Sequence, residues 1–179
     1  EARYEWYSPP QQQISAGVFY KNIKNPIEAF VSGDQTTSFA NAPKADLYGV
    51  ELEASKHFDL ADIGSGGDSL TARRLAVQAN YTFSKSELKV SPNDPVAVFA
   101  SSSSRADDFF RDGAPLTGQS DHVVNLEVGL ENPERLSQQT LMVSYASKRV
   151  TSRGLPNSGQ PDIFAYPGLR LDFVAREGV

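Results

Sequence analysis

Cysteine is absent from the 179-residue chain, and methionine and tryptophan occur once each. Without cysteine there is no disulfide scaffold, no thiolate metal site and no cysteine nucleophile. Long apolar runs are missing too: no stretch approaches the roughly 20 residues that a membrane-spanning helix needs. An excess of basic residues is also lacking. Lysine and arginine number 17 against 22 acidic residues, a net charge of −5, whereas nucleic acid recognition needs a basic patch, so nucleic acid is excluded as a partner. The two histidines, His57 and His122, are far apart and lack metal-ligand spacing. No leader pattern precedes the strand-like Tyr4-Glu5-Trp6-Tyr7, and the expectation is an N-terminus produced by cutting.

What the chain does have is alternation with period two. In Asp46–Lys56 the residues Tyr48, Val50, Leu52 and Ala54 point one way, and Gly49, Glu51, Glu53 and Ser55 point the other. A soluble sandwich would turn the charged face to bulk water. A membrane barrel turns the greasy face to lipid and the charged face to a wet lumen. Because only every second residue then meets lipid, a mean hydropathy of −0.40 is compatible with either.

Seven such segments are expected, in one all-β domain spanning 1–179: Ala2–Tyr7, Gln12–Asn22, Asp46–His57, Arg73–Leu88, His122–Glu131, Gln138–Thr151 and Gly168–Arg176. The predicted fold class is an antiparallel up-and-down sheet. Its connections alternate in length. Ser8–Gln13, Ile63–Ser69 and Asn132–Ser137 are short, whereas Ile27–Ala45, Ser91–Ser120 and Ser152–Pro167 are long. Outer-membrane barrels have short periplasmic turns and longer extracellular loops, and a sandwich has no reason for that asymmetry. Trp6, Tyr20, Tyr48, Phe58 and Tyr145 near strand ends fit interfacial girdles, or are simply aromatics in strands.

Four ordered motifs sharpen this. YEWYSPPQQQISAGVFYKNIKNPI (Tyr4–Ile27), NAPKADLYGVELEASKHFDL (Asn41–Leu60), QANYTFSKSEL (Gln78–Leu88) and PLTGQSDHVVNLEVGLEN (Pro115–Asn132) together resemble the C-terminal barrel of TonB-dependent outer-membrane receptors. The resemblance implies a non-enzymatic transporter in the Gram-negative outer membrane. It implies energised uptake of a scarce nutrient such as a siderophore, a vitamin or an oligosaccharide. Its partners would be outer-membrane lipid, that ligand, and the TonB complex, reached through an N-terminal region outside the chain. Seven strands are about a third of the ~22 in a plugged transporter barrel, so the resemblance implies a partial segment of a large transmembrane β-barrel. No plug and no TonB box stand in the chain, and Arg176-Glu177-Gly178-Val179 lacks the terminal aromatic usual in such barrels. The alternatives are a passive porin-like channel and a soluble β-sandwich of the carbohydrate-binding or adhesin kind.

No catalytic residue, metal site or cofactor is assigned. Inward carboxylates Glu51, Glu53, Glu127, Glu131 and Asp172 line a wet wall or pair with Arg3, Lys148 and Arg170. The candidate ligand contacts are Phe109, Phe110 and Arg111 in the longest loop. Two adjacent aromatics there either stack on a sugar or catecholate ring or pack the loop down.

Overall fold

Alternation in the sequence becomes one seven-stranded antiparallel sheet. A computed structural model describes residues 1–9, 12–32, 36–63, 73–99, 101–132 and 135–177. The main strands are β1 (Ala2–Ser8), β2 (Gln12–Lys24), β5 (Lys44–Asp59), β6 (Arg74–Lys89), β7 (His122–Asn132), β8 (Ser137–Ala146) and β11 (Gly168–Arg176). They lie in the order β1-β2-β5-β6-β7-β8-β11, each paired antiparallel with the next. Among the described residues β1 and β11 have one neighbour each, so the sheet is open on both sides. A single helical turn, α1 (Leu60–Ile63), follows β5.

Register decides what each face carries. Trp6, Ile14, Ala54, Ala79, Leu126, Val143 and Leu171 stand directly opposite one another across all seven strands. So do Tyr4, Ala16, Leu52, Tyr81, Val124, Tyr145 and Leu169. Displaced by one residue, on the other face, are Glu5, Ser15, Glu53, Asn80, Asn125, Ser144 and Arg170. Since paired residues share a face, the first two rows are apolar throughout and the third is polar throughout. The apolar rows are open: Leu171 is 65% and Phe173 66% exposed. A sandwich would have buried that face against a second sheet.

The long connections all leave from one end. Lys24, Lys44 and Lys89 stand opposite one another there, and Ala146 stands opposite both Val123 and Gly168. The strand ends that the three short connections join, Ser8 and Gln12, Asp59 and Arg74, and Asn132 and Ser137, are paired at the other end. Residues 10–11, 64–72 and 133–134, which include much of those turns, lie outside the described residues.

Structure departs from expectation within the long connections, which are not irregular. Residues 25–43 contain a ribbon of β3 (Ile27–Val31) and β4 (Thr37–Asn41). A second ribbon pairs β9 (Arg149–Ser152) with β10 (Ile163–Ala165). The segment expected as one strand to Thr151 therefore stops at Ala146. Ser147 ends it by donating its N–H to the His122 carbonyl at 2.9 Å, while its Oγ accepts the His122 N–H at 3.1 Å. Lys148, expected on the inner wall, instead sits over the Phe164 ring, 5.4 Å from its centroid.

The hydrophobic core is displaced from the sheet into this loop end. Phe30, Ala40, Ala42, Ala45, Leu88, Val96, Ala106, Phe109 and Phe110 form one buried cluster.

Candidate functional site

A cap of three loops closes the loop end of the sheet, and its construction starts at Asn25-Pro26. Asn25 takes a positive φ of 53°, a turn conformation that asparagine tolerates better than most residues. The hairpin β2–β5 then continues as β3–β4, clamped by Asn25 N–H to the Pro43 carbonyl (3.1 Å) and Ala42 N–H to the Pro26 carbonyl (2.8 Å). Alternation within the ribbon turns Glu28, Phe30 and Ala40 inward and leaves Ile27 and Phe39 exposed.

Phe30 meets both aromatics of the longest loop. Its ring lies 5.4 Å from Phe109, tilted, and 6.1 Å from Phe110, edge-on. A single 3₁₀ turn, Ala106–Asp108, presents them, with the Phe109 and Phe110 N–H groups both donating to the Ala106 carbonyl. Phe110 is 1% exposed. The pair packs the loop down, its faces occupied by protein. Arg111, next in the chain, remains partly exposed, and its Nη2 reaches the Gly154 carbonyl (3.3 Å) and Asp162 (3.5 Å).

The acidic residues around these rings are spent on the loop itself. Asp107 pairs with Arg105, Asp108 accepts from Ser103, and Asp112 accepts the Val90 N–H at 2.9 Å. The Arg105 guanidinium holds the Asp107 carboxyl below its usual range, and that hydrogen bond is the largest cause.

Between the loops lies a buried ion pair. Arg153 donates to Glu28 Oε2 from Nε (3.0 Å) and Nη2 (2.8 Å), and the two residues are 2% and 1% exposed. Thr117 donates its backbone N–H to the same carboxylate at 3.1 Å. Burial pushes the Glu28 carboxyl upward, and the Arg153 charge and its hydrogen bonds only partly oppose this. Backbone bonds run alongside, with Val31 N–H to the Arg153 carbonyl (2.7 Å) and Arg153 N–H to the Ala29 carbonyl (3.0 Å).

Pro115–Ser120, PLTGQS, staples these parts together. Leu116 N–H donates to Ser86 Oγ, Thr117 N–H to Glu28, and Gly118 N–H to the Val150 carbonyl. Gln119 Nε2 donates to Ser84 Oγ, and Ser120 Oγ to the Ser147 carbonyl. Gly118 holds a φ of +79°, which suits glycine and turns three successive N–H groups toward three different partners. One six-residue motif thus ties the end of β6 to the first and third loops.

Sequence reading missed Glu28 and Arg153. The available signal was a lone carboxylate inside the apolar run IEAFV, in phase with Phe30.

Below the cap the inner wall is polar. Arg3 bridges Glu53 (2.9 Å) and Glu5 (2.7 Å), and Arg170 pairs with Asp172 (2.8 Å). A concavity of about 530 Å³ along β6, β7, β8 and β11 is lined by Gln78, Asn80, Asn125, Glu127, Arg170 and Asp172 among others. Among the described residues no group of three or more metal-ligating side chains gathers.

A single-layer up-and-down sheet with an exposed apolar face, a polar inner face and all long loops at one end is the wall of a transmembrane β-barrel. No curated protein and no solved structure gives a significant match to the chain. The family described as TonB dependent receptor-like, beta-barrel, matches over residues 1–171. The chain therefore belongs to the TonB-dependent receptor β-barrel family, multi-pass outer-membrane proteins of Gram-negative bacteria that act in transport.

Proposed function

We propose that this sheet is part of the wall of a receptor that takes up a scarce nutrient, energised through TonB. Further strands and a plug, contributed from outside residues 1–179, complete the barrel, and the TonB complex acts on that remaining part. The ligand is a siderophore, a vitamin or an oligosaccharide arriving from the extracellular side.

The observation that supports this most is the cap. Three long loops are tied by a buried ion pair, an aromatic cluster and the PLTGQS staple, which gives a rigid vestibule above a polar wall. Rigid placement of contacts lowers the ordering cost of binding. Phe109 and Phe110 serve as the support and Arg111 as the exposed ligand contact beside them.

Uptake by cells carrying the full-length receptor tests the reading. Accumulation of the transported nutrient is expected to stop when proton motive force is collapsed, and Arg111→Ala is expected to weaken ligand binding while the barrel still assembles. Accumulation that continues after collapse, down the concentration gradient alone, would indicate the passive channel instead.

A further inference from the structure

The first and third loops of the cap join edge to edge, and the far edge of the same ribbon is open. β3 lies between β4 on one side and Arg153 on the other. In an antiparallel pair, alternate residues direct their N–H and C=O groups at the partner strand and the rest direct them away. The bonds from Ser32 N–H to the Thr36 carbonyl and from Ala42 N–H to the Pro26 carbonyl, both 2.8 Å, fix that phase. Counting by twos, Glu28 faces Ala40 and Phe30 faces Ser38 as the bonded pairs of the ribbon. Ala29 and Val31 then turn their polar groups away from β4, and these are the residues that bond Arg153. The same phase turns the N–H and C=O groups of Thr37, Phe39 and Asn41 away from β3. Among the described residues no strand pairs with that edge and no loop backbone bonds to it.

Nothing in its sequence blunts this edge. Proteins protect open edges with charged side chains, proline or bulges. β4, Thr37-Ser38-Phe39-Ala40-Asn41, carries no charge and no proline, and it pairs with β3 without a bulge. Phe39 is 63% exposed, and Ile27 on the neighbouring strand is 69% exposed. Such an edge is a template for a further strand, and side chains of that strand would cover the Phe39 ring.

Position selects the occupant. The third loop rises from β8 and leads into β11, at one side of the wall, and β3 faces it. β4 is on the far side of β3, so its open edge looks toward the other side, where β1 is the outermost described strand. β1 starts with Ala2 opposite Val18 and ends with Ser8 opposite Gln12. It therefore runs away from the loop end, and a connection leading into it arrives from the extracellular side.

We propose that the open edge of β4 is a docking site for the extracellular loop that leads into β1 in the full-length receptor, which adds to it as an extended strand. The first and third loops are already joined this way, through two backbone bonds at Arg153, so the added strand continues the same sheet and carries the cap past β2. The inference rests on the reading that strands outside residues 1–179 complete the barrel. It is independent of the nutrient and of how uptake is energised, so a passive channel would leave it standing.

Hydrogen exchange of the full-length receptor, resolved to single amides, tests it. Ser38 and Ala40 amides are bonded to β3 and serve as the internal reference. Phe39 and Asn41 amides are expected to be protected as well, without added nutrient and at every receptor concentration. Deleting the loop that leads into β1 is expected to speed their exchange at least about tenfold, the effect of one lost hydrogen bond, and to leave Ser38 and Ala40 unchanged. Heat-modifiable migration confirms that the deletion variant assembles. Should it fail to assemble, Phe39→Pro decides, because proline on an edge removes only the outward N–H. That variant is expected to speed exchange at Asn41 while Ser38 and Ala40 stay protected. Fast exchange of Phe39 and Asn41 in the intact receptor, or no change in whichever variant assembles, would overturn the proposal. Protection that appears only with added nutrient would assign the edge to the ligand, and protection that grows with concentration would assign it to a second copy; either would overturn it too.

Discussion

Arg153 places Nε and Nη2 at 3.0 and 2.8 Å from one carboxylate oxygen of Glu28, joining the first long loop to the third. Neither side chain meets solvent to any extent. Removing one member of such a pair strands a buried charge, whereas replacing both with apolar residues is often nearly neutral. Arg153→Ala alone is expected to cost about 3–5 kcal/mol of cap stability. Glu28→Leu combined with Arg153→Met is expected to recover most of it. Hydrogen exchange across residues 27–31 and 149–153 reads both, and equal loss in single and double variants would show that the pair is not a coupled unit.

The pH dependence of the cap follows from the same carboxylate. Glu28 has its pKa raised from 4.5, chiefly by burial. Between that ordinary value and the raised one the folded cap holds more protons than the opened one, so its stability falls as pH rises through this window. Exchange protection in residues 27–31, corrected for intrinsic rates, is expected to decline over that range in wild type and to stay flat in Glu28→Gln. Protection that grew with pH in wild type would contradict this sign.

Gly49, in the GVEL stretch of β5, has a close-approach role. A Cβ there would lie 2.2 Å from the Phe83 carbonyl oxygen and 2.7 Å from the Phe19 ring. At Gly129 the nearest atom would be the Ala76 Cβ at 3.7 Å, an ordinary contact. Gly49→Ala is expected to destabilise the wall by about 1–3 kcal/mol, and Gly129→Ala to be tolerated. Denaturant midpoints of the folded receptor compare them, and equal shifts would remove the argument.

Much of the wall could be read from the sequence, because period two is unmistakable over strands of 16 residues such as β5 and β6. The ribbons β3–β4 and β9–β10 were not legible. Strands of three to five residues are too short for periodicity to stand out. Phe109 and Phe110 left two readings open for a related reason: their partner Phe30 is distant in sequence, and only the folded loops bring the rings together. The extension of β8 through Thr151 failed because the β-branched Val150 and Thr151 favour strand, while the exit at Ser147 depends on hydrogen bonds to His122.

Cap and wall are expected to lose stability separately, because the buried members of the aromatic cluster reach the wall only at the loop ends of β5 and β6, through Ala45 and Leu88. Phe110→Ala removes a ring that is 1% exposed, and large-to-small changes at such sites cost about 3–5 kcal/mol. The loss is expected in the loops alone. Proteolysis of the loops in intact cells is expected to speed up while the heat-modifiable shift of the barrel persists. Loss of the shift would mean that the cap is needed to assemble the wall.

The assignment of faces supports everything else, and adjacent residues of β7 test it. Leu126 belongs to the apolar row with Ile14 and Leu171, and Asn125 to the polar row with Glu53 and Arg170, where its Nδ2 donates to Asn80 at 2.9 Å. Arginine facing lipid near the bilayer midplane costs about 2–4 kcal/mol, whereas at a lumen position it keeps its water. The decisive measurement is the fraction of heat-modifiable, folded receptor in outer membranes carrying Leu126→Arg or Asn125→Arg. A marked loss for Leu126→Arg with near-normal assembly for Asn125→Arg is the expected result. Equal loss, or greater loss at Asn125, would contradict the lipid-facing assignment of the whole sheet.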